Sequence, residues 1–281
     1  MSGIWRDTAR RLQSNRLAMA AVGVMLGIAA ISIAGPLVTM HRFDSLDWSS
    51  IAVPPGLRHG HWLGTDRLGR DLYVRTLEGT RISLLIGVFA ALMSLAVGVA
   101  YGAIAGFAGG STDRWMMRVV EILSGLPLIF FVILLTVLFG RGVFLLLTSI
   151  GAIGWLTMAR IVRGQTLSLR RREFIEAAVA GGASPGRIIF KHVIPNVAGP
   201  VIVYAMLTVP QMILFESFLS FLGLGIQEPH ASLGTLIADG AGEMEAAPWM
   251  LLAPGVLLAV LLLSLNLFGD CLRDALDPEE H

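Results

Sequence analysis

Residues Ile82 to Phe107 read ISLLIGVFAALMSLAVGVAYGAIAGF, an apolar run without one charged side chain. A helix rises 1.5 Å per residue, so about 20 such residues cross the roughly 30 Å hydrocarbon core of a bilayer. This stretch is long enough to span. Gly98, Gly102 and Gly106 recur inside it at four-residue spacing, which aligns them on one helix face and lets another backbone approach closely. Gly23 and Gly27 repeat the spacing in an earlier apolar run. Lipid supplies no hydrophobic drive between helices, so close contact must replace it, and these glycines read as packing positions in a bundle.

Similar runs recur on either side: Leu17 to Val38, Met116 to Phe139, Val143 to Ala159, Val197 to Phe221 and Trp249 to Phe268. The fourth span, Val143 to Ala159, stays apolar on one side through Leu156, Ile161 and Leu167, so it can run on to Ser168. Over all 281 residues 55% are apolar and 15% charged, against about 45–50% and 25% in soluble domains. The sequence therefore predicts an all-α polytopic membrane protein of six transmembrane helices with no sizeable soluble domain. Its parts are an N-terminal tail (1–16), a first transmembrane helix (17–38), a long outer loop (39–81), a five-helix core (82–268) enclosing a polar segment (160–196), and a C-terminal tail (269–281). Arg6, Arg10, Arg11 and Arg16 precede the first run, but no small-residue cleavage site followed by a soluble domain succeeds it, so it reads as an uncleaved span.

An even number of spans puts both termini on one side. Assigning that side to the cytoplasm places Arg6, Arg10, Arg11, Arg16, Arg114, Arg118, Arg160, Arg163, Arg170, Arg171, Arg172, Arg187, Lys191 and Arg273 inside, as the positive-inside rule requires of short loops. Arg42, Arg58, Arg67, Arg70, Arg75 and Arg81 share the outer loop with Asp44, Asp47, Asp66, Asp71 and Glu78. The net charge of +1 gives no sign of a nucleic-acid partner.

The polar segment between the fourth and fifth spans carries helix punctuation. Arg172 to Ala180 has good helix formers, includes Glu173 and Glu176, and stops at Gly181-Gly182. Ser184 can then cap a second helix with Pro185 at its first position, running through Ile188, Ile189 and Val193 to Pro195. Ala177, Ala178 and Gly182 give a low-profile face suited to a groove in another protein, beside which Glu176 can hold register through a charge-assisted hydrogen bond. Spacing alone leaves equally open a loop folded against its own bundle.

Glu176-Ala177-Ala178, Gly182 and Pro195 resemble the EAA motif of permease subunits of bacterial ABC importers; His192 and Ile194 depart from that motif's usual ending. Residues 63–71 (LGTDRLGRD), 79–84 (GTRISL), 216–225 (ESFLSFLGLG) with Gln227-Glu228-Pro229, and 269–278 (GDCLRDALDP) are similar to C-type permeases of the peptide and nickel class; residues 160–169 and 232–249 are similar to its oligopeptide branch. The resemblance implies a type I ABC importer (MetI-like) permease fold in a bacterial inner membrane. It implies that Glu173, Glu176, Ala177, Ala178, Gly181, Gly182, Ser184 and Pro195 belong to a coupling segment that docks in a cleft of an ATPase subunit. Implied partners are a homologous B-type permease, two ABC ATPase subunits (D and F type) holding ATP and Mg, an extracytoplasmic peptide-binding protein and the lipid bilayer. The implied cargo is oligopeptide, with dipeptide, glutathione or nickel as alternatives.

Further residues bear on chemistry. Glu216 is an ionisable group in an apolar span, which costs roughly 2.5–3.5 kcal/mol unless it meets water or a partner; it reads as a buried hydrogen-bonding group or a gate contact. Pro127 and Pro210 interrupt the third and fifth spans and read as packing kinks or as bends that shape a translocation path, for which the candidates are Pro127, Trp155, Pro210, Gln211 and Glu216. Asp66 and Asp71 beside Arg67 and Arg70 read as a salt-bridged loop. Of His41, His59, His61, His192, His230 and His281 only His59 and His61 are close in sequence, so no metal site is expected; Cys271 is the single cysteine. A phosphate-binding loop needs lysine before Ser or Thr, and the sole lysine, Lys191, precedes His192. The chain is therefore expected to be non-catalytic and to bind no cofactor. An ion-driven secondary transporter would carry mid-membrane titratable groups and inverted repeats, and an intramembrane enzyme a catalytic pair; neither signature is found.

Overall fold

The computed structural model describes residues 2–56, 60–140 and 142–276. Among these the chain is helical apart from loops and two isolated antiparallel bridges, Gly56 with His61 and Thr65 with Asp71. The helices are α1 (Ser2–Ser14), α2 (Arg16–Ala34), α3 (Leu72–Ala108), α4 (Gly110–Ser124), α5 (Leu128–Phe139), α6 (Val143–Arg170), α7 (Glu173–Ala180), α8 (Pro185–Ile188), α9 (Ile194–Phe221), α10 (Leu233–Gly242) and α11 (Trp249–Leu276). Five stretches are long and apolar enough to cross a membrane (α2, α3, α6, the run from Pro185 through α9, and α11), and a sixth crossing results if the bent pair α4 and α5 counts as one.

Three boundaries differ from the sequence reading. Helix α3 begins at Leu72, ten residues before Ile82, because Asp71 accepts from the Val74 N–H at 3.0 Å and caps it; the loop drawn over 39–81 therefore ends in a helix. The single span drawn over Met116 to Phe139 is two helices bent by 82°. Gly125 ends α4, and Pro127, which has no N–H and holds its predecessor away from helical geometry, starts α5. The helix expected to stop at Pro195 instead flows into α9 through a π-type turn over Ile189–Val193. Pro195, which has no N–H to donate, sits directly after that turn, in the first turn of α9. Helix α6 does run past Ala159, to Arg170.

The glycine stripe decides how the bundle is assembled. A Cβ on Gly98 would lie 2.6 Å from Met158 Cβ, one on Gly106 2.7 Å from Thr166 Cβ, and one on Gly102 would collide with the Ala159 carbonyl. The backbones of α3 and α6 thus touch along three turns. Gly23 and Gly27 behave differently: a Cβ on either would meet nothing of another element within 4 Å among the described residues, so the expected packing role is not used between these elements. At the Ala108 end the α3–α6 seam is tied to α4 by a two-pronged pair, Arg163 Nε to Asp113 Oδ1 at 2.5 Å and Nη2 to Oδ2 at 2.6 Å.

Candidate functional site

Helix α7 lies at the Ala108 end of the bundle, between the ends of α6 and α9. It is eight residues long, too short to persist alone, and one of its side chains, Ile175, is buried, 1% exposed. Ile175 enters a cluster of Val99 and Ala103 from α3, Met158 and Val162 from α6, Ile188 from α8, and Val193, Val197 and Val201. The helix stops as its two glycines suggest. Ala183 N–H donates to Ala178 O at 3.1 Å and Gly182 N–H to Val179 O at 3.0 Å, with Gly182 at φ +75°, a Schellman stop that favours glycine. Ser184 occupies the cap position of α8, but its side chain makes no capping bond there; the turn is held by backbone and by Pro185.

The opposite face of the segment is open. Glu173, Phe174, Glu176, Ala177, Val179 and Ala180 are exposed, as are Gly181, Gly182, Ser184 and, further on, Phe190. Phe174 packs near His192 with ring centroids 6.4 Å apart, so the residue that departs from the motif helps tie α7 to the π-turn. A cavity of about 790 Å³ runs beneath, between α7 and the end of α3, lined among others by Ile104, Phe107, Glu176, Val179 and Ile188. Helix α7 is thus a small plate, anchored on one side by buried Ile175 with partly buried Ala178 beside it, and presenting alanines, two carboxylates and apolar side chains on the other.

The five path candidates occupy different surroundings. Pro127 is exposed at the α4–α5 break; Trp155 is half-buried, edge-on to Tyr101 with centroids 4.9 Å apart; Gln211 is exposed on α9; Pro210 and Glu216 are buried. Glu216, fully buried, is a polar node. Ser220 Oγ donates to its Oε1 at 2.6 Å and Ser83 Oγ to its Oε2 at 3.1 Å; Ser83 in turn accepts from the Leu233 N–H at 3.1 Å, and Ser220 lies 3.2 Å from Ser232. The carboxyl therefore joins α3, α9 and the start of α10, and its lone pairs are met, as burial requires.

At the Leu72 end the acidic and basic residues of the loop pair in a way the sequence did not show. Asp66 receives Arg70 Nε at 2.6 Å and lies 3.4 Å from Arg75 Nε; Arg70 also reaches Glu228 at 2.9 Å. Burial works against the Arg70 charge, yet Asp66 and Glu228 outweigh it and hold the guanidinium above its ordinary pKa. Arg67 turns to Asp239 on α10 at 3.7 Å, where burial pushes the carboxyl up although Arg67 pulls it down. Asp71 pairs with His61, Nδ1 to Oδ2 2.7 Å, instead of with an arginine. His41, thirty residues before Asp71, stacks on His61. Sequence proximity pointed to His59 as the partner of His61; His59 lies outside the described residues. No local signal could have brought His41 there, because the loop's path over the α3 N-terminus makes the contact.

Two family profiles match this chain: residues 98–280 match the one described as binding-protein-dependent transport system inner membrane component, and residues 3–55 the one described as the N-terminal transmembrane domain of oligopeptide transport permease C. The chain is 52% identical over 277 residues to the oligopeptide transport system permease protein OppC of Escherichia coli strain K12, covering 99% of this chain and 92% of that one. It is 44% identical over 275 residues to the dipeptide transport system permease protein DppC of Bacillus subtilis strain 168, covering 98% and 85%. Among solved structures, an inward-facing conformation of the MetNI methionine ABC transporter aligns at TM-score 0.58 and 18% identity over 73% of this chain and 96% of that one, which shows a shared fold.

Proposed function

The chain belongs to the family of binding-protein-dependent transport system inner membrane components, and from that premise we propose that it works as one half of a peptide import pathway. It is a multi-pass permease subunit of an ABC importer and is not itself an enzyme. A homologous permease supplies the other half, two ATPase subunits holding ATP and Mg dock from the cytoplasm, and an extracytoplasmic binding protein delivers oligopeptide. Both termini and α7 then face the cytoplasm.

The observation that carries this reading is α7, a helix whose small residues Ala177 and Ala180 and carboxylates Glu173 and Glu176 are exposed while Ile175, its one fully buried side chain, is sunk into α3, α6 and the α9 root. Closure of the ATPases pushes on this plate, and the push enters the spanning helices through Ile175 and the π-turn. π-Turns of this kind recur at functional sites. The pathway switches by rigid-body movement, with Gln211 and Trp155 on its surface, Pro127 and Pro210 shaping α5 and α9, and Glu216 fixing the wall from behind. The 44% identity to a dipeptide permease supports leaving the peptide length to the binding protein.

The test is purification and uptake with Ala177→Trp. Position 177 is exposed, so the variant should insert and fold as the wild type does, within about 0.5 kcal/mol. The ATPase subunits that copurify with the wild-type permease pair should be lost and peptide uptake in proteoliposomes abolished. Full uptake by the variant would overturn the docking assignment, and wild-type permease that moves peptide without ATPase subunits would overturn the ABC mechanism.

A further inference from the structure

We propose that His41, His61 and Asp71 form a binding site for one divalent transition-metal ion of the zinc class, clamping the loop after α2 onto the N-terminus of α3. One ligand atom from each residue lies within 4.8 Å of the others. Three separate parts of the chain converge here, and two of the three side chains are buried, His61 at 5% and Asp71 at 3% exposure.

The donor set fixes the class of ion. Two imidazoles and one carboxylate suit zinc, cobalt or nickel, whereas calcium and magnesium take oxygen ligands. The arrangement supplies three ligands and leaves a fourth position for water. Asp71 is already oriented as a ligand, because its Oδ1 is held by the Val74 N–H at 3.0 Å, which leaves Oδ2 turned toward His61. The His41 ring stacks on His61 at a centroid distance of 4.5 Å and makes no hydrogen bond among the described residues. An imidazole brought to a buried His–Asp pair without a partner of its own is what a third ligand needs.

A zinc–ligand bond of about 2.0–2.2 Å at tetrahedral angles sets two ligand atoms roughly 3.3 Å apart. His61 Nδ1 and Asp71 Oδ2 stand at 2.7 Å, as a shared proton holds them. Metal entry therefore takes that proton off Nδ1, to Nε2 of the same ring when the imidazole is neutral and to solvent when it is an imidazolium, opens the pair by about half an ångström and draws His41 in. The ligating forms are the neutral imidazole and the carboxylate, so binding weakens as the pH falls and these groups protonate.

The experiment uses the intact transporter in nanodiscs, purified through a tag free of histidine, stripped with chelator and titrated with zinc alone. One zinc per permease should bind and raise the unfolding temperature. His41→Ala removes a half-buried ligand, and Asp71→Asn keeps a good helix cap while removing a charged one. Each should weaken zinc at least about 100-fold and abolish the thermal shift. The proposal is overturned if the wild type binds no zinc stoichiometrically, or if both variants bind it as tightly as the wild type does.

Discussion

Replacing Ile175 with alanine probes the mechanical role of α7 most directly. Ile175 is the one buried side chain of an eight-residue helix, and the change deletes three carbons from a cluster contributed by α3, α6, α8 and α9. At about 0.8 kcal/mol per buried methylene the transfer term alone is roughly 2.4 kcal/mol, and the residual cavity carries the total to about 3 kcal/mol within the usual 2–5 range. Each 1.4 kcal/mol is tenfold, so the undocked population rises on the order of 100-fold. A free helix of this length does not hold itself together, so undocking and unwinding coincide. The amides of Gly181, Gly182 and Ala183, which bond to Ala177, Val179 and Ala178, should exchange with deuterium faster by that factor. In proteoliposomes, ATP hydrolysis should no longer be matched by peptide uptake. Val179→Ala is the control, since Val179 is 54% exposed and its truncation should leave exchange unchanged. Wild-type protection and wild-type uptake in the Ile175 variant would refute the idea that this side chain connects the plate to the bundle.

Gly98→Leu should destabilise the subunit by about 1–3 kcal/mol through overpacking against Met158 and the Trp155 carbonyl, read as a lower unfolding temperature in detergent, whereas Gly23→Ala should be neutral there because a Cβ at that position would meet nothing of another element among the described residues; equal behaviour of the two would mean that the α3–α6 seam has slack. Glu216→Ala strips the acceptor from Ser83 and Ser220 and should cost about 1–3 kcal/mol for each hydroxyl left unpaired, while Glu216→Gln, which keeps the volume and one acceptor, should cost clearly less. An alanine variant as stable as the wild type would show that the node contributes nothing to folding.

The long apolar runs and the Gly98 stripe were legible because each is a local property, a hydropathy window or a four-residue repeat, that lipid or a neighbouring helix reads directly. The end of α7 was legible for the same reason: Gly181-Gly182 can be recognised without knowing what packs nearby. The start of α3 was not, because Arg75, Glu78 and Arg81 look like loop residues until Asp66 and the loop cover Arg75 to 2% exposure. Nor was the continuity of α8 with α9, since proline at 195 reads as a stop unless the preceding π-turn is seen to place it in a first turn. Glu216 was flagged by its cost in an apolar span, but its partners Ser83 and Ser232 lie on other elements. The cluster of His41, His61 and Asp71 depends wholly on how the loop closes.

These placements bear on how force would travel from a docked ATPase. Pressure on α7 reaches Val99 and Ala103, Met158 and Val162, and Val193, Val197 and Val201 at once through Ile175, so all three spans receive it. They are not equally free to respond. Helices α3 and α6 touch backbone to backbone at Gly98, Gly102 and Gly106 and cannot slide without a clash, so they move as one body. Helix α9 has its compliance built in: a π-turn at Ile189–Val193 and prolines at 200 and 210, each of which removes a backbone hydrogen bond. Its far end is held again, by Glu216 to Ser83 on α3. The arrangement therefore leaves the compliance in α9, between its root and Glu216, while α3 and α6 stay together; if α7 is pushed as proposed, Gln211 lies on the stretch between the two anchored ends.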